Sequence, residues 1–203
     1  MISSKHMKIY TISDDVYFQN GIISLAKSKG WDIVAHELDS SLTNQLTPDD
    51  VVILHLDVKN STYAKAISPL NKVCKLLVIL GAARDIVIND ADLVIKSRDS
   101  LLEISRAIRV VAKKKKELSI KESDLSDIEN IILKESLKGK NIHLIAKTLN
   151  IPPKRVYAYR NKACKKLGGK KISDLLLIRD KLLEESSTFF TSPTSIRELD
   201  YSF

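Results

Sequence analysis

Aromatic residues make up only 5% of this 203-residue chain, with a single tryptophan, and cysteine occurs twice. Cys74 and Cys164 lie far apart and match no metal-binding or redox spacing. Long hydrophobic runs are lacking too. No apolar stretch approaches the roughly 20 residues that cross a bilayer, so no membrane partner is expected. Lys5, His6 and Lys8 interrupt any N-terminal apolar core of the kind a secretory signal needs. Met1–His6 reads equally well as native sequence or as a cloning scar ahead of a start at Met7. Two lone thiols without an export signal point to a reducing, cytoplasmic setting. Nucleophile–base spacings, Gly-rich phosphate loops and metal-ligand clusters are missing as well. Neither an enzyme nor a cofactor is therefore expected.

What the chain does have is charge, unevenly placed. Residues 1–112 carry 13 Lys+Arg against 13 Asp+Glu, whereas residues 113–183 carry 19 against 8. Residues 184–203 carry 1 against 4. Hydrophobic residues at 44% are enough for a core. A neutral half followed by a basic one implies two modules, the second with an anionic partner.

The first module alternates short β-rich runs with helical patterns. Strands are expected at Lys8–Ser13, Trp31–Glu37, Asp50–Val58, Lys75–Leu80 and Ala91–Lys96, and helices at Phe18–Gly30 and Ser100–Lys115. Alternation of this kind argues for a parallel sheet with helices on both faces. Ligands of such sheets sit beyond the carboxyl ends of the strands. Ser13, Asp14, Asp15, His55, Asp57, Gly81 and Lys96 are thereby expected to gather at one edge. With these residues in place, residues 7–112 resemble the receiver domain of bacterial response regulators, a flavodoxin-like parallel five-stranded α/β fold. The resemblance puts Ser13 and Asp14 at the acidic pair and His55 at the phosphoacceptor position. It puts Gly81 where a hydroxyl residue belongs and matches only Lys96. Mg²⁺ prefers hard oxygen ligands, so the loss of one acid and of the acceptor carboxylate implies a degenerate pocket. A pseudo-receiver kept for dimerisation or partner binding is expected over residues 1–112. The alternative is phosphorylation through Asp57, which shares a strand face with His55.

Residues 113–124 read as a charged linker, with Lys113–Lys116 either a tether or a further nucleic-acid contact. The second module, residues 125–185, reads as all-α with four helices. Ser126 and Glu129 form a capping box ahead of Leu125–Gly139. Asn141–Asn150 is a short second helix, Pro153–Leu167 a third and Ile172–Glu185 a fourth. In the third, Val156, Tyr159, Ala163 and Leu167 share an inner stripe. Lys154, Tyr157, Ala158, Asn161 and Lys165 share an outer one that mixes cations, an amide, a small apolar residue and an aromatic. That mixture suits a helix lying in a DNA major groove.

"LSDIENIIL", Gly139, "IAKTLNI", Lys154 with Val156, and "KLG" at Lys166–Gly168 make residues 125–176 resemble the helix-turn-helix domain of the LuxR type. The resemblance implies base contacts from Tyr157, Ala158 and Asn161. It implies backbone contacts from Ser126, Lys140, Lys154, Arg155, Arg160, Lys162, Lys165 and Lys166, and a dimer surface at Leu175, Leu176, Ile178 and Arg179. Pro152, Arg155 and Tyr159 depart from the family's usual Ser, Thr and His, which bears on the entry angle of the helix. Residues 186–203 form a Ser/Thr-rich tail whose four aromatics either dock on the first module or stay disordered. The expected function is a phosphorylation-independent transcriptional regulator on double-stranded DNA, as a homodimer or with a related regulator. A working response regulator using Asp57, and a module that sequesters another regulator, are the alternatives.

Overall fold

Runs of isoleucine, valine and leucine build a sheet whose strands all pair in parallel. In the computed structural model, which describes residues 7–81, 86–115 and 125–184, the strands are β1 (Ile9–Ile12), β2 (Ile33–Ala35), β3 (Val51–Leu56), β4 (Lys75–Leu80) and β5 (Leu93–Lys96). Their order is β2-β1-β3-β4-β5. Each expected strand is present, β4 with the expected bounds and the other four trimmed at one or both ends. The central β3 and β4 are buried along their whole length, as near-continuous apolar runs require in a sheet covered on both faces.

One face is covered by α1 (Val16–Ser28) and α4 (Leu101–Lys113), which pack over Ile9, Ile53, Leu77 and Ile79. α1 begins two residues before its expected start because Asp15 caps it, with Oδ1 accepting from the Phe18 N–H at 3.0 Å. Ser100 and Glu103 form a capping box on α4. On the other side lie α2 (Ser40–Gln45), a 3₁₀ segment (Val58–Ala66) and α3 (Ile67–Val73). None of these three was foreseen, since each is short and α2 and the 3₁₀ segment carry no sustained apolar stripe.

The basic half folds into α5 (Asp127–Leu137), α6 (Ile142–Leu149) and α7 (Pro153–Lys166), then a second 3₁₀ segment (Ile172–Ile178) and α8 (Arg179–Glu184). The single fourth helix expected over Ile172–Glu185 is thus split in two. Asp174 Oδ2 accepts from the N–H groups of Lys170 and Lys171 at 2.8 and 3.1 Å and tightens the entry. The 3₁₀ winding aligns residues three apart, so Leu175 and Ile178 both turn inward.

A buried cluster runs without a break from the sheet face at Leu54, Leu56 and Val78, through Ile86 and Ile88, to Leu175, Leu177, Ile178 and Leu182. Polar contacts bind the same junction. Lys181 Nζ lies 3.2 Å from Asp90 Oδ2, which also accepts from Ser68 Oγ at 2.6 Å. Lys65 pairs with Glu184 at 3.1 Å, and the Val87 N–H donates to the Leu167 carbonyl at 3.0 Å. Within the expected linker, Lys113 ends α4. Residues 116–124, the 186–203 tail and Met1–His6 lie outside the described residues. No helix among the described residues is long and apolar enough to cross a membrane.

Candidate nucleic-acid interface

The turn before α7 is made by backbone conformation and proline chemistry. Asn150 adopts φ 51°, a left-handed geometry that asparagine tolerates, and caps α6. The Ile151 N–H then returns to the Ala146 carbonyl at 3.1 Å. Pro153 takes the first helical position, where a missing N–H costs nothing. Val156, Ala163 and Leu167 of the expected inner stripe are buried; Val156 lies in a small core with Ile132, Ile142 and Ile145 against which Tyr159 is half-buried, while Ala163 and Leu167 join the large cluster that reaches the sheet. Cys164, left out of that stripe, is fully buried beside them, and burial pushes its thiol upward in pKa.

With that face committed, Lys154, Tyr157, Ala158, Asn161 and Lys165 all stand exposed along one side of α7, as does Arg155. The Arg160 guanidinium lies 4.9 Å from the centre of the Tyr157 ring, a cation–π arrangement that steadies both side chains. On α6, His143 and Lys147 are exposed and line a shallow cleft with Pro152 and Pro153 beside the start of α7. Sequence reasoning missed these two. Their outward position opposite the buried Ile142, Ile145 and Ala146 was the available signal.

The backbone-contact candidates divide into two groups. Lys154, Arg155, Arg160 and Lys165 edge the outer stripe. Lys140 is ion-paired to Glu135. Lys166 Nζ donates to Glu129 Oε2 at 2.7 Å, and Lys162 Nζ stands 3.2 Å from Oε1. The Ser126 N–H also donates to Oε2, at 2.9 Å, as one half of the capping box. Glu129 itself has no exposed surface. The Lys166 hydrogen bond, more than any other cause, draws its carboxyl down to about 2. Of the expected dimer residues, Leu175 and Ile178 are buried inside the chain, while Leu176 and Arg179 face outward.

At the strand edge the seven expected residues divide as well. Ser13 Oγ and His55 Nδ1 are hydrogen-bonded at 2.9 Å. Phe18 stacks on the imidazole at 3.9 Å between centroids and 12° between planes. His55 is 4% exposed, and burial lowers its pKa against the opposing pull of Asp15, Asp57 and Asp14. Asp15 is occupied in capping α1. Asp14 Oδ1 accepts from the Tyr63 hydroxyl, whose pKa is raised to about 12 by burial first and by that hydrogen bond second. Gly81 lies against Asp57: a Cβ there would meet Asp57 Oδ1 at 2.9 Å. Lys96 ends β5, half-buried, and its N–H donates to Asp99. No group of three His, Cys, Asp or Glu side chains among the described residues is arranged to hold a metal ion. The donor set does not fit the Mg²⁺ of a working receiver: Asp15 caps a helix, Asp14 accepts a hydrogen bond from a phenol that keeps its proton, and a stacked imidazole stands at the position the resemblance gives to the acceptor.

The chain thus joins a parallel five-stranded α/β module to a helix-turn-helix module. Solved structures share this arrangement across most of the chain. The two-component response regulator RcsB in complex with DNA matches at a TM-score of 0.59 and 19% identity, over 88% of this chain and 98% of that one. RcsB from Salmonella enterica serovar Typhimurium, bound to promoter rprA in the presence of the phosphomimetic BeF3-, gives 0.59 and 18%, over 87% and 100%. Two RcsB dimers bound to two parallel DNAs give 0.55 and 20%, over 88% and 98%. At these identities the likeness is one of fold. No protein-family model and no curated protein matches the sequence.

Proposed function

We propose that the chain is a transcriptional regulator that reads double-stranded DNA through α7, and that its N-terminal module works without phosphorylation. The observation that carries the reading is the exposed stripe of Tyr157, Ala158 and Asn161 edged by Lys154, Arg155, Arg160 and Lys165, on a helix whose opposite side is buried. An exposed asparagine offers the donor–acceptor pair that matches an adenine edge, and small or aromatic neighbours suit thymine methyls. The flanking cations suit phosphates. The RcsB structures that share the fold are DNA complexes, one of them with dimers, which supports DNA as the partner and a dimer, of this chain or with a related regulator, as the bound form. Phosphorylation-independence is supported by the Phe18–His55 stack and by the engagement of Asp14 and Asp15. A cytoplasmic location follows from this role.

Footprinting of the purified chain on genomic fragments tests the reading. A discrete protected site that Asn161→Ala weakens is the expected result. A footprint untouched by Asn161→Ala removes the base-reading assignment, and no footprint at all removes DNA as the partner. Exposure to Mg²⁺ with beryllium fluoride tests the receiver half. A change of oligomeric state that Asp57→Ala abolishes would restore phosphorylation through Asp57.

A further inference from the structure

Glu129 holds both carboxylate oxygens where no solvent reaches them. Oε2 is satisfied by the Ser126 N–H at 2.9 Å and the Lys166 ammonium at 2.7 Å. Oε1 makes no directed hydrogen bond, and the Lys162 ammonium 3.2 Å away compensates its charge. An enclosed carboxylate left without its cation is strongly unfavourable. If Lys162 and Lys166 both swung out to phosphates, Glu129 would be left with no cation and only the Ser126 N–H. The two lysines lie one turn apart in the last half of α7, whereas Ser126 begins α5. Their shared carboxylate therefore pins the C-terminal half of α7 to the start of α5 and fixes the angle at which the outer stripe is presented.

We propose that Glu129 is the positioning residue of the DNA-reading helix, and that Lys162 and Lys166 serve this carboxylate rather than DNA phosphates. This deepens the DNA-binding reading and rests on it. The phosphate ligands are then Lys154, Arg155, Arg160 and Lys165, on the N-terminal half and outer edge of α7. Lys162 and Lys166 then act as struts that reach from the exposed flank of α7 to a buried carboxylate.

The salt dependence of binding separates struts from phosphate ligands, because each phosphate neutralised adds about 0.9 to the slope of log affinity against log salt. The full chain is titrated with a mixed-sequence duplex over a range of salt. Lys154→Gln with Lys165→Gln should lower the slope by about 1.8. Lys162→Gln with Lys166→Gln should lower it by less than half as much, with Lys166→Arg restoring affinity. An equal loss of slope in the two double variants overturns the proposal. Should the Lys162/Lys166 variant fail to fold, Glu129→Gln decides. It frees both ammoniums, so a steeper slope supports the proposal and an unchanged one refutes it. If the unaltered chain binds no duplex, the DNA reading and this inference fall together. If it binds but the lysine variants behave alike, only this inference falls.

Discussion

The ring of Phe18 lies flat on the imidazole of His55, 3.9 Å between centroids and 12° from parallel. A helix residue from α1 thus closes over the end of β3, and Ser13 holds the imidazole edge from the β1 side. Burial pushes the His55 imidazole below its ordinary 6.5, so the folded chain prefers it neutral. The unfolded chain accepts a proton that the folded one resists. Stability is therefore fully present above about pH 6.5 and is lost as pH falls from there through the lowered folded value. Melting temperature should drop as pH is lowered across that window, and His55→Asn should flatten the dependence. Phe18→Ala should cost about 1–2 kcal/mol by uncovering the ring. A melting profile that keeps its slope in His55→Asn would assign the pH dependence to another group.

Gly81 packs closely against Asp57, whose side chain would have to turn aside for a residue with a Cβ. A methyl at residue 81 would come within 2.9 Å of Asp57 Oδ1, 3.2 Å of Cγ and 3.3 Å of Cβ. Gly81→Ala should therefore destabilise the chain by about 1–3 kcal/mol through overpacking. The same change combined with Asp57→Gly should cost clearly less than the sum of the single changes. Additive penalties from denaturant titrations of the four variants would place the strain elsewhere.

These contacts explain which parts of the molecule were legible from the amino acids. "VVILHL" and "KLLVIL" announce buried central strands by composition alone, and the paired prolines and glycines bracket α7. Periodicity also separated Val156 and Ala163 from Asn161 and Lys165. It did not reach Ser13 with His55, 42 residues apart, or Glu129 with Lys166, 37 apart. Glu129 read as a local cap because its i,i+3 relation to Ser126 is a sequence pattern, whereas its link to α7 depends on how helices cross. The joint core of the two modules was hidden for the same reason. Leu175 and Ile178 read as a free apolar surface until their neighbours at Ile86 and Ile88 are in place.

That joint core has a thermodynamic consequence. Lys181 is a nearly buried cation paired to Asp90, and Asp90 is also held by Ser68 on α3. Apolar burial continues across the junction without a solvent gap. The sheet module and the helical module should unfold together in one denaturant transition, because loss of either strips cover from the other. Asp90→Ala should lower stability by about 1.5–3 kcal/mol and move the midpoint of that single transition. Trp31, which packs against the core between the sheet and α1 and α4, reports the sheet module by fluorescence, and circular dichroism is weighted to the helices. Two separated midpoints in the unaltered chain would show that the modules are energetically independent.

Arg160 and Tyr157 make the outer stripe of α7 more than a set of charges. Their cation–π contact at 4.9 Å holds an aromatic edge, 48% exposed, one turn before Asn161. If Asn161 reads a base by a bidentate pair, Asn161→Ala should cost about 1–3 kcal/mol on the cognate site and little on other sequences. Lys154→Gln should instead weaken binding to all sequences alike and reduce the salt slope by about 1. Tyr157→Phe keeps the ring face on which Arg160 lies and should leave affinity nearly unchanged, whereas Tyr157→Ala releases the guanidinium and should weaken every site. Competition assays with the footprinted site and a scrambled duplex separate the three behaviours. A loss in Asn161→Ala that is equal on both duplexes would reduce this residue to a packing role and leave Ala158 to discriminate.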